Sequence, residues 1–235
     1  ERPSVEDGRR LRCLTWNVAA GSAEVSAQAP AGWTSADNLR VVVSEVNRLQ
    51  PDLLALQECP SQAPLRGLDS SLALVGAARS SHCESFVQLY AKRDMRCEPM
   101  PLGRGLPVMG GEVVVGGVRV TVLAAHLAAG RDGVSQRREQ LAAALRGCRG
   151  ASRVVLGDLN VREDEVVGLR EAFKMREAPY AGSSLDPVMN KYHADLGGYR
   201  GRGFQFDRVL FCGHVEAASM LACRARHFYE GVPFF

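Results

Sequence analysis

Five short runs of β-branched and aliphatic residues in this chain each carry a polar residue at one tip. "LRCLTWN" ends at Asn17, "PDLLALQE" at Glu58, "VRVTVLAAH" at His126 and "RVVLGDLN" at Asp158 and Asn160, while "GFQFDRVLF" holds Asp207 at its start. A buried strand gains nothing from a carboxylate at its end, because an unpaired charge away from water is costly. Taken singly, such an Asp or Asn reads as a turn former, and His126 as a satisfied structural histidine. Taken together, five polar tips that make one coherent chemical set demand a fold in which the strand ends meet.

Helical periodicity lies between the runs. In "SADNLRVVVSEVNRL", Ser35 is placed to cap the N-terminus, Leu39, Val42, Val46 and Leu49 form one apolar face, and Pro51 marks the stop. "SQRREQLAAALRGC" is a second amphipathic helix, with Leu141 and Leu145 inward and Gly147 near its C-terminal cap. "GGEVVVGGVRVTVL" reads as a hairpin turned at Gly116 and Gly117, where a tight turn needs positive φ. Strands alternating with helices make this an α/β chain, and its 235 residues suit one large domain. "AEVSAQAPAGWTSA" and "DPVMNKYHADLGGYRGRG" follow neither period and read as long loops, a common place for function.

The sequence holds 46% hydrophobic and 23% charged residues, as a self-folding globular protein does, and its net charge of +3 is too small to dictate a polyanionic partner. Seven cysteines form an odd set with no CxxC pair, so they read as small core hydrophobes in a reducing compartment. No apolar stretch has the length of a membrane span, and "ERPSVEDGRR" is unlike a secretory signal. These features lead us to expect an intracellular monomer, in nucleus or cytoplasm, with no obligate protein partner.

Asp158 and Asn160, two apart on a strand, are expected to share a face with Cα atoms roughly 7 Å apart. With Asn17, Glu58 and His126 they would line a pocket of carboxylates, amides and one imidazole, a set suited to phosphate-ester hydrolysis. A phosphodiester is anionic and gains charge as water attacks, so the site needs a hard cation on the phosphate oxygens. Mg²⁺, with Mn²⁺ as a substitute, is held by very few carboxylates, and Glu58 is the natural metal anchor. Asp158 would position or deprotonate water, while Asn17, Asn160 and His126 face the phosphoryl oxygens.

The motifs "TWN" (15–17), "LQE" (56–58), "AHL" (125–127), "GDLN" (157–160) and "FDRVL" (206–210) resemble those of the endonuclease/exonuclease/phosphatase superfamily. That resemblance implies a DNase I-like four-layer α/β sandwich of two mostly antiparallel sheets flanked by helices, with the site at one end. "GDLNVREDEV", "SQRREQL" and "SLDPVMN" make the chain most similar, within the superfamily, to the 5′-tyrosyl-DNA phosphodiesterases. The likeness implies a nuclease-like phosphodiesterase of DNA repair that acts on nucleic acid ends. It gives Arg162 the substrate phosphate or leaving group and makes Arg137 a substrate-site residue that helps fix the pocket.

Three positions depart from the pattern. Ala19 stands where relatives carry an acid near the metal, which leaves more of the binding to Glu58. Leu185 replaces an aromatic wall of the DNA groove, and base stacking on an aromatic is worth about 1–3 kcal/mol. Asp207 matches the carboxylate that orients a terminal catalytic His, yet no Ser-Asp-His type motif follows, and the flanks of His227 do not fit one. We therefore expect a single domain over residues 1–235 whose final strand and catalytic His lie past Phe235. The same chemistry on RNA, a phosphoinositide or sphingomyelin, and a catalytically impaired binding domain, are the competing readings.

Overall fold

The computed structural model describes residues 11–18, 34–80, 84–179 and 205–215. Within them run β1 (Cys13–Asn17), α1 (Ser35–Leu49), β2 (Leu53–Cys59), β3 (Leu72–Arg79), β4 (Phe86–Lys92), β5 (Glu98–Met100), β6 (Val108–Val115) and β7 (Val118–His126). They continue with α2 (Val134–Arg146), β8 (Ser152–Asp158), α3 (Glu163–Phe173), β9 (Arg176–Glu177) and β10 (Asp207–Cys212). The 23–36 loop, apart from residues 34–36, and the 186–203 loop lie outside the described residues, as do Ala19, Leu185 and His227.

Two mixed sheets form. One has the order β1-β2-β4-β3 and the other β5-β6-β7-β8-β10-β9. The β1–β2 and β7–β8 pairs are parallel and the remaining pairs antiparallel. Alternation along the strands sets the layers. Leu53, Ala55, Val87 and Leu89 of the first sheet meet Val120, Val122, Ala124, Val154, Leu156 and Phe211 of the second in one shared core. The opposite parity of the first sheet, Leu54, Leu56 and Tyr90, packs with Val42 and Val46 of α1. On the far side, Leu123, Val155 and Leu210 pack with Leu141, Ala144 and Leu145 of α2 and with Val166 and Leu169 of α3. The result is the helix–sheet–sheet–helix sandwich that the motifs implied.

Local chemistry explains the boundaries. The β6–β7 hairpin turns on Gly116 (φ 53°) and Gly117 (φ 78°), the two positive-φ positions of a type I′ turn. Helix α1 is capped by Thr34 rather than Ser35: Thr34 is extended, its N–H donates to Asp37 Oδ2 at 2.7 Å, and Ser35 is already the first helical residue. The helix stops at Gln50, left-handed at φ 48°, immediately before Pro51. Helix α3 went unread in the sequence, since its acidic first turn (Glu163, Asp164, Glu165) leaves only Val166 and Leu169 as buried apolar markers. Among the described residues, Cys59 and Cys148 are buried, Cys97 and Cys212 half-buried and Cys13 exposed, all as free thiols. No described helix is long and apolar enough to cross a membrane.

Candidate active site

The strand tips meet at one end of the sandwich, and backbone register accounts for most of the convergence. His126 of β7 pairs in parallel register with Asp158 of β8, which pairs in antiparallel register with Asp207 of β10. Directly paired residues project to the same face, so these three form a row across the second sheet. Their parity is that of Ala124, Leu156 and Val209, so the row continues the inter-sheet core at its open edge. Asn17 occupies the corresponding tip of the first sheet, in register with Gln57. Beneath it, Gln57 is fully buried and donates through Nε2 to Thr15 Oγ1 at 3.1 Å, which closes the polar floor.

Glu58 reaches this cluster by breaking the strand pattern. Alternation along β2 sends Leu53 and Ala55 inward and would send Glu58 outward with Leu54 and Leu56. A β-bulge between Leu56 and Cys59 and a left-handed backbone at Glu58, φ 57°, redirect it. Left-handed φ on a residue with a Cβ costs about 1–2 kcal/mol. Bulges and strain of this kind re-aim side chains beside active sites.

One amide then joins the two sheets. Asn17 Nδ2 donates to Glu58 Oε1 at 2.9 Å and to Asp158 Oδ2 at 3.1 Å. His126 Nε2 stands between the same carboxylates, 3.9 Å from Glu58 Oε1 and 3.8 Å from Asp158 Oδ2. His126 is only 2% exposed, whereas Glu58 and Asn17 are half-buried. Glu58 and Asp158 thus bring one carboxylate from each sheet to this open edge.

Asp158 and Asn160 are neighbours, but by a turn instead of a shared strand face. β8 ends at Asp158, and Asn160 is left-handed at φ 51°, a conformation Asn tolerates well. Asn160 N–H donates to Asp158 Oδ1 at 3.0 Å and its Nδ2 to Leu127 O at 3.1 Å, so it ties the tips of β7 and β8 together. The Gly of "GDLN" is required by close approach: a Cβ on Gly157 would stand 2.0 Å from Ala125 O.

The arginines separate by environment. Arg137 is fully buried, its Nη2 and Nε on Glu165 at 2.7 and 3.0 Å and its Nη1 on Ala128 O and Gly130 O at 2.8 and 2.7 Å. Its guanidinium thereby pins the segment after His126 to α3 and offers no surface to a substrate. Arg162, at the N-cap of α3, is half-buried with its guanidinium 5.8 Å from the Phe206 ring centroid, and its buried Nε has no hydrogen-bond partner among the described residues.

Two functional-looking side chains carry no signal that sequence reasoning used. Ser80 Oγ, directly after β3, is 3.3 Å from His126 Nδ1. Arg208, the third residue of "FDRVL", is 1% exposed and binds Val161 O, Glu163 and Glu177, which fastens the segment after Asn160 to β10 and β9. The Arg inside an apolar strand was the available clue to the second; Ser80 could be found only from coordinates.

The profile of the Endonuclease/Exonuclease/phosphatase family matches residues 14–229. No curated protein sequence matches significantly. Among solved structures, truncated tyrosyl-DNA phosphodiesterase 2 of Caenorhabditis elegans superposes with a TM-score of 0.60 at 19% identity, covering 88% of this chain and 86% of that one. The Danio rerio enzyme of the same name, complexed with a single-strand DNA product, gives 0.56 at 18% identity over 86% and 84%. A mannosyl-6-phosphatase of Bacteroides thetaiotaomicron gives 0.61 at 12% identity over 87% and 86%. At these identities the structures speak for the fold alone, while the family profile spans nearly the whole chain. The chain belongs to the endonuclease/exonuclease/phosphatase family.

Proposed function

We propose that this protein is a Mg²⁺-dependent phosphodiester hydrolase acting on nucleic acid ends, with a 5′-phosphotyrosyl linkage as the substrate its motifs fit best. The observation that carries the reading is the Asn17 amide shared by Glu58 and Asp158, one carboxylate from each sheet. Turn chemistry has no need for such a meeting. The resemblance of the "GDLN-x-R" and "FDR" stretches to the tyrosyl-DNA phosphodiesterases supports the substrate, as does the likeness to an enzyme solved with single-strand DNA.

Among the described residues no three His, Cys, Asp or Glu side chains converge as a metal cage. Mg²⁺ does not ask for one, since it keeps several waters and takes one or two carboxylates. Glu58 fits that role, and Mn²⁺ accepts the same hard oxygen. Bound there, the cation neutralises charge on the phosphoryl oxygens. Asp158, held by Asn17 Nδ2 and the Asn160 N–H, orients the attacking water and takes its proton. Asn160, through its second Nδ2 hydrogen, and His126 donate N–H groups to the phosphoryl oxygens as charge accumulates, while Asn17, whose two amide hydrogens go to Glu58 and Asp158, holds those carboxylates in place. Arg162 meets the phosphate or the departing tyrosyl oxygen, Arg137 acts as a positioning residue, and Asp207, paired with Asp158 across the strands, adds its carboxylate to the row. The protein works as a monomer inside the cell.

Incubation of a 5′-phosphotyrosyl oligonucleotide with protein and Mg²⁺ tests this directly. Release of a 5′-phosphate end, lost in Asp158→Asn, is expected. An intact linkage, with turnover of RNA, a phosphoinositide or sphingomyelin in a parallel panel, would move the protein to another substrate class. No turnover of any of them, with the site residues intact, would make it a binding domain.

A further inference from the structure

The imidazole of His126 has two distinct environments. Nε2 faces the Glu58 and Asp158 carboxylates at 3.9 and 3.8 Å, inside the proposed site. Nδ1 faces the other way, 3.3 Å from Ser80 Oγ. Both residues are buried, Ser80 at 6% and His126 at 2% exposure. The contact crosses between the sheets, since Ser80 follows β3 of the first and His126 ends β7 of the second. Ser80 is also well anchored: its N–H donates to Ser85 O at 2.8 Å, which closes the open end of the β3–β4 pair. The His126 N–H donates to Pro107 O at 3.0 Å, so the backbone of each partner is itself hydrogen-bonded.

A neutral imidazole has one N–H and one lone pair, and the partner of one nitrogen settles the state of the other. Carboxylate oxygens beside Nε2 favour a proton there. In the neutral ring Nδ1 is then an acceptor, and among the described residues the Ser80 hydroxyl faces it as a donor. The opposite tautomer would turn the Nε2 lone pair toward two carboxylates and would offer no donor to a phosphoryl oxygen. We infer that Ser80 is a positioning residue whose hydroxyl, donating to His126 Nδ1, fixes the imidazole as the neutral tautomer with its proton on Nε2, directed into the cleft. The inference rests on the hydrolase reading for its kinetic consequence, but its structural content stands without substrate or metal.

The test uses ¹⁵N-histidine-labelled protein, metal-free and at one fixed pH, with the His126 tautomer read from long-range ¹H–¹⁵N correlations. Ser80→Ala and Ser80→Thr are compared with wild type, and kcat and KM are measured with Mg²⁺ and the best substrate of the panel. Wild type and Ser80→Thr should carry the proton on Nε2. Ser80→Ala should show mixed tautomers and a kcat lower by about ten- to a hundredfold, the usual cost of losing an orienting partner, with KM little changed. Wild type with the proton on Nδ1, an unchanged tautomer or an unchanged kcat in Ser80→Ala, or equal losses in the Ala and Thr variants, overturns the role. Full activity of Glu58→Ala would instead overturn the hydrolase reading, and the substrate-free tautomer measurement separates the two failures.

Discussion

The side-chain amide of Asn17 donates to Glu58 Oε1 at 2.9 Å, and the same nitrogen reaches Asp158 Oδ2 at 3.1 Å. Without it, two carboxylates face each other across the seam between the sheets. Asn17→Ala is expected to lower kcat by about ten- to a hundredfold, the usual cost of losing a partner that orients the groups of a site, with a smaller effect on KM. Steady-state kinetics on the wild type and variant check this, and an unchanged kcat would remove Asn17 from the reaction.

The strained backbone of Glu58 separates its fold role from its chemistry. Because φ is 57°, Glu58→Gly should be more stable than Glu58→Ala by about 1 kcal/mol, the cost of a Cβ in the left-handed region. Both variants should lack activity equally. Urea titration of the pair gives the difference; equal stability would show that the kink is not held at that residue.

Close approach makes Gly157 indispensable. Gly157→Ala places a Cβ 2.0 Å from Ala125 O, against backbone that cannot yield, and should destabilise by at least about 1–3 kcal/mol. Gly150→Ala, where the nearest atoms are at 3.7 Å, is the control and should change stability by no more than about 0.5 kcal/mol. Thermal melts of the two variants compare them on one scale.

Much of what positions the site was legible because polar strand tips are a strong signal against an apolar background. Asn17, His126 and Asp158 each end a strand and Asp207 begins one where the runs placed them, and Glu58 lies one residue short of the end of β2. What stayed hidden depends on departures from regular periodicity. No pattern announces that the bulge at Glu58 reverses its face, or that Asn160 leaves the strand through a left-handed turn. Ser80 was invisible for a different reason: its partner is 46 residues away on the other sheet, and a Ser at a strand end reads as a turn. The Thr34 cap was missed by one residue because Thr34 and Ser35 are both good capping types.

Arg137 and Glu165 form a buried pair that holds the segment after His126 against α3. Arg137→Ala leaves Glu165 uncompensated and the Ala128 and Gly130 carbonyls without their donor. The expected loss is about 3–5 kcal/mol of stability, seen as a lowered urea midpoint. A variant that kept full stability while losing substrate affinity would instead give Arg137 a direct contact.

Burial pushes the Cys59 thiol up to about 12, helped by the neighbouring Glu58 charge, and burial likewise pushes Cys148 up to about 11, from an ordinary value of 9.0. Both stay protonated in the fold when the unfolded chain would ionise. Their contribution to stability is therefore complete below pH 9 and is lost as pH rises from there toward 11 and 12. Stability measured across that window should fall, and Cys59→Ala with Cys148→Ala should flatten the decline; a slope unchanged in the double variant would contradict it.

In the proposed reaction Glu58 and its neighbours would hold a divalent cation that offsets the phosphate charge. Calorimetric titration of Mg²⁺ into the wild-type chain and into Glu58→Ala measures it most directly. A saturable binding heat is expected in the wild type and should disappear in the variant. Equal binding by the two proteins would contradict it.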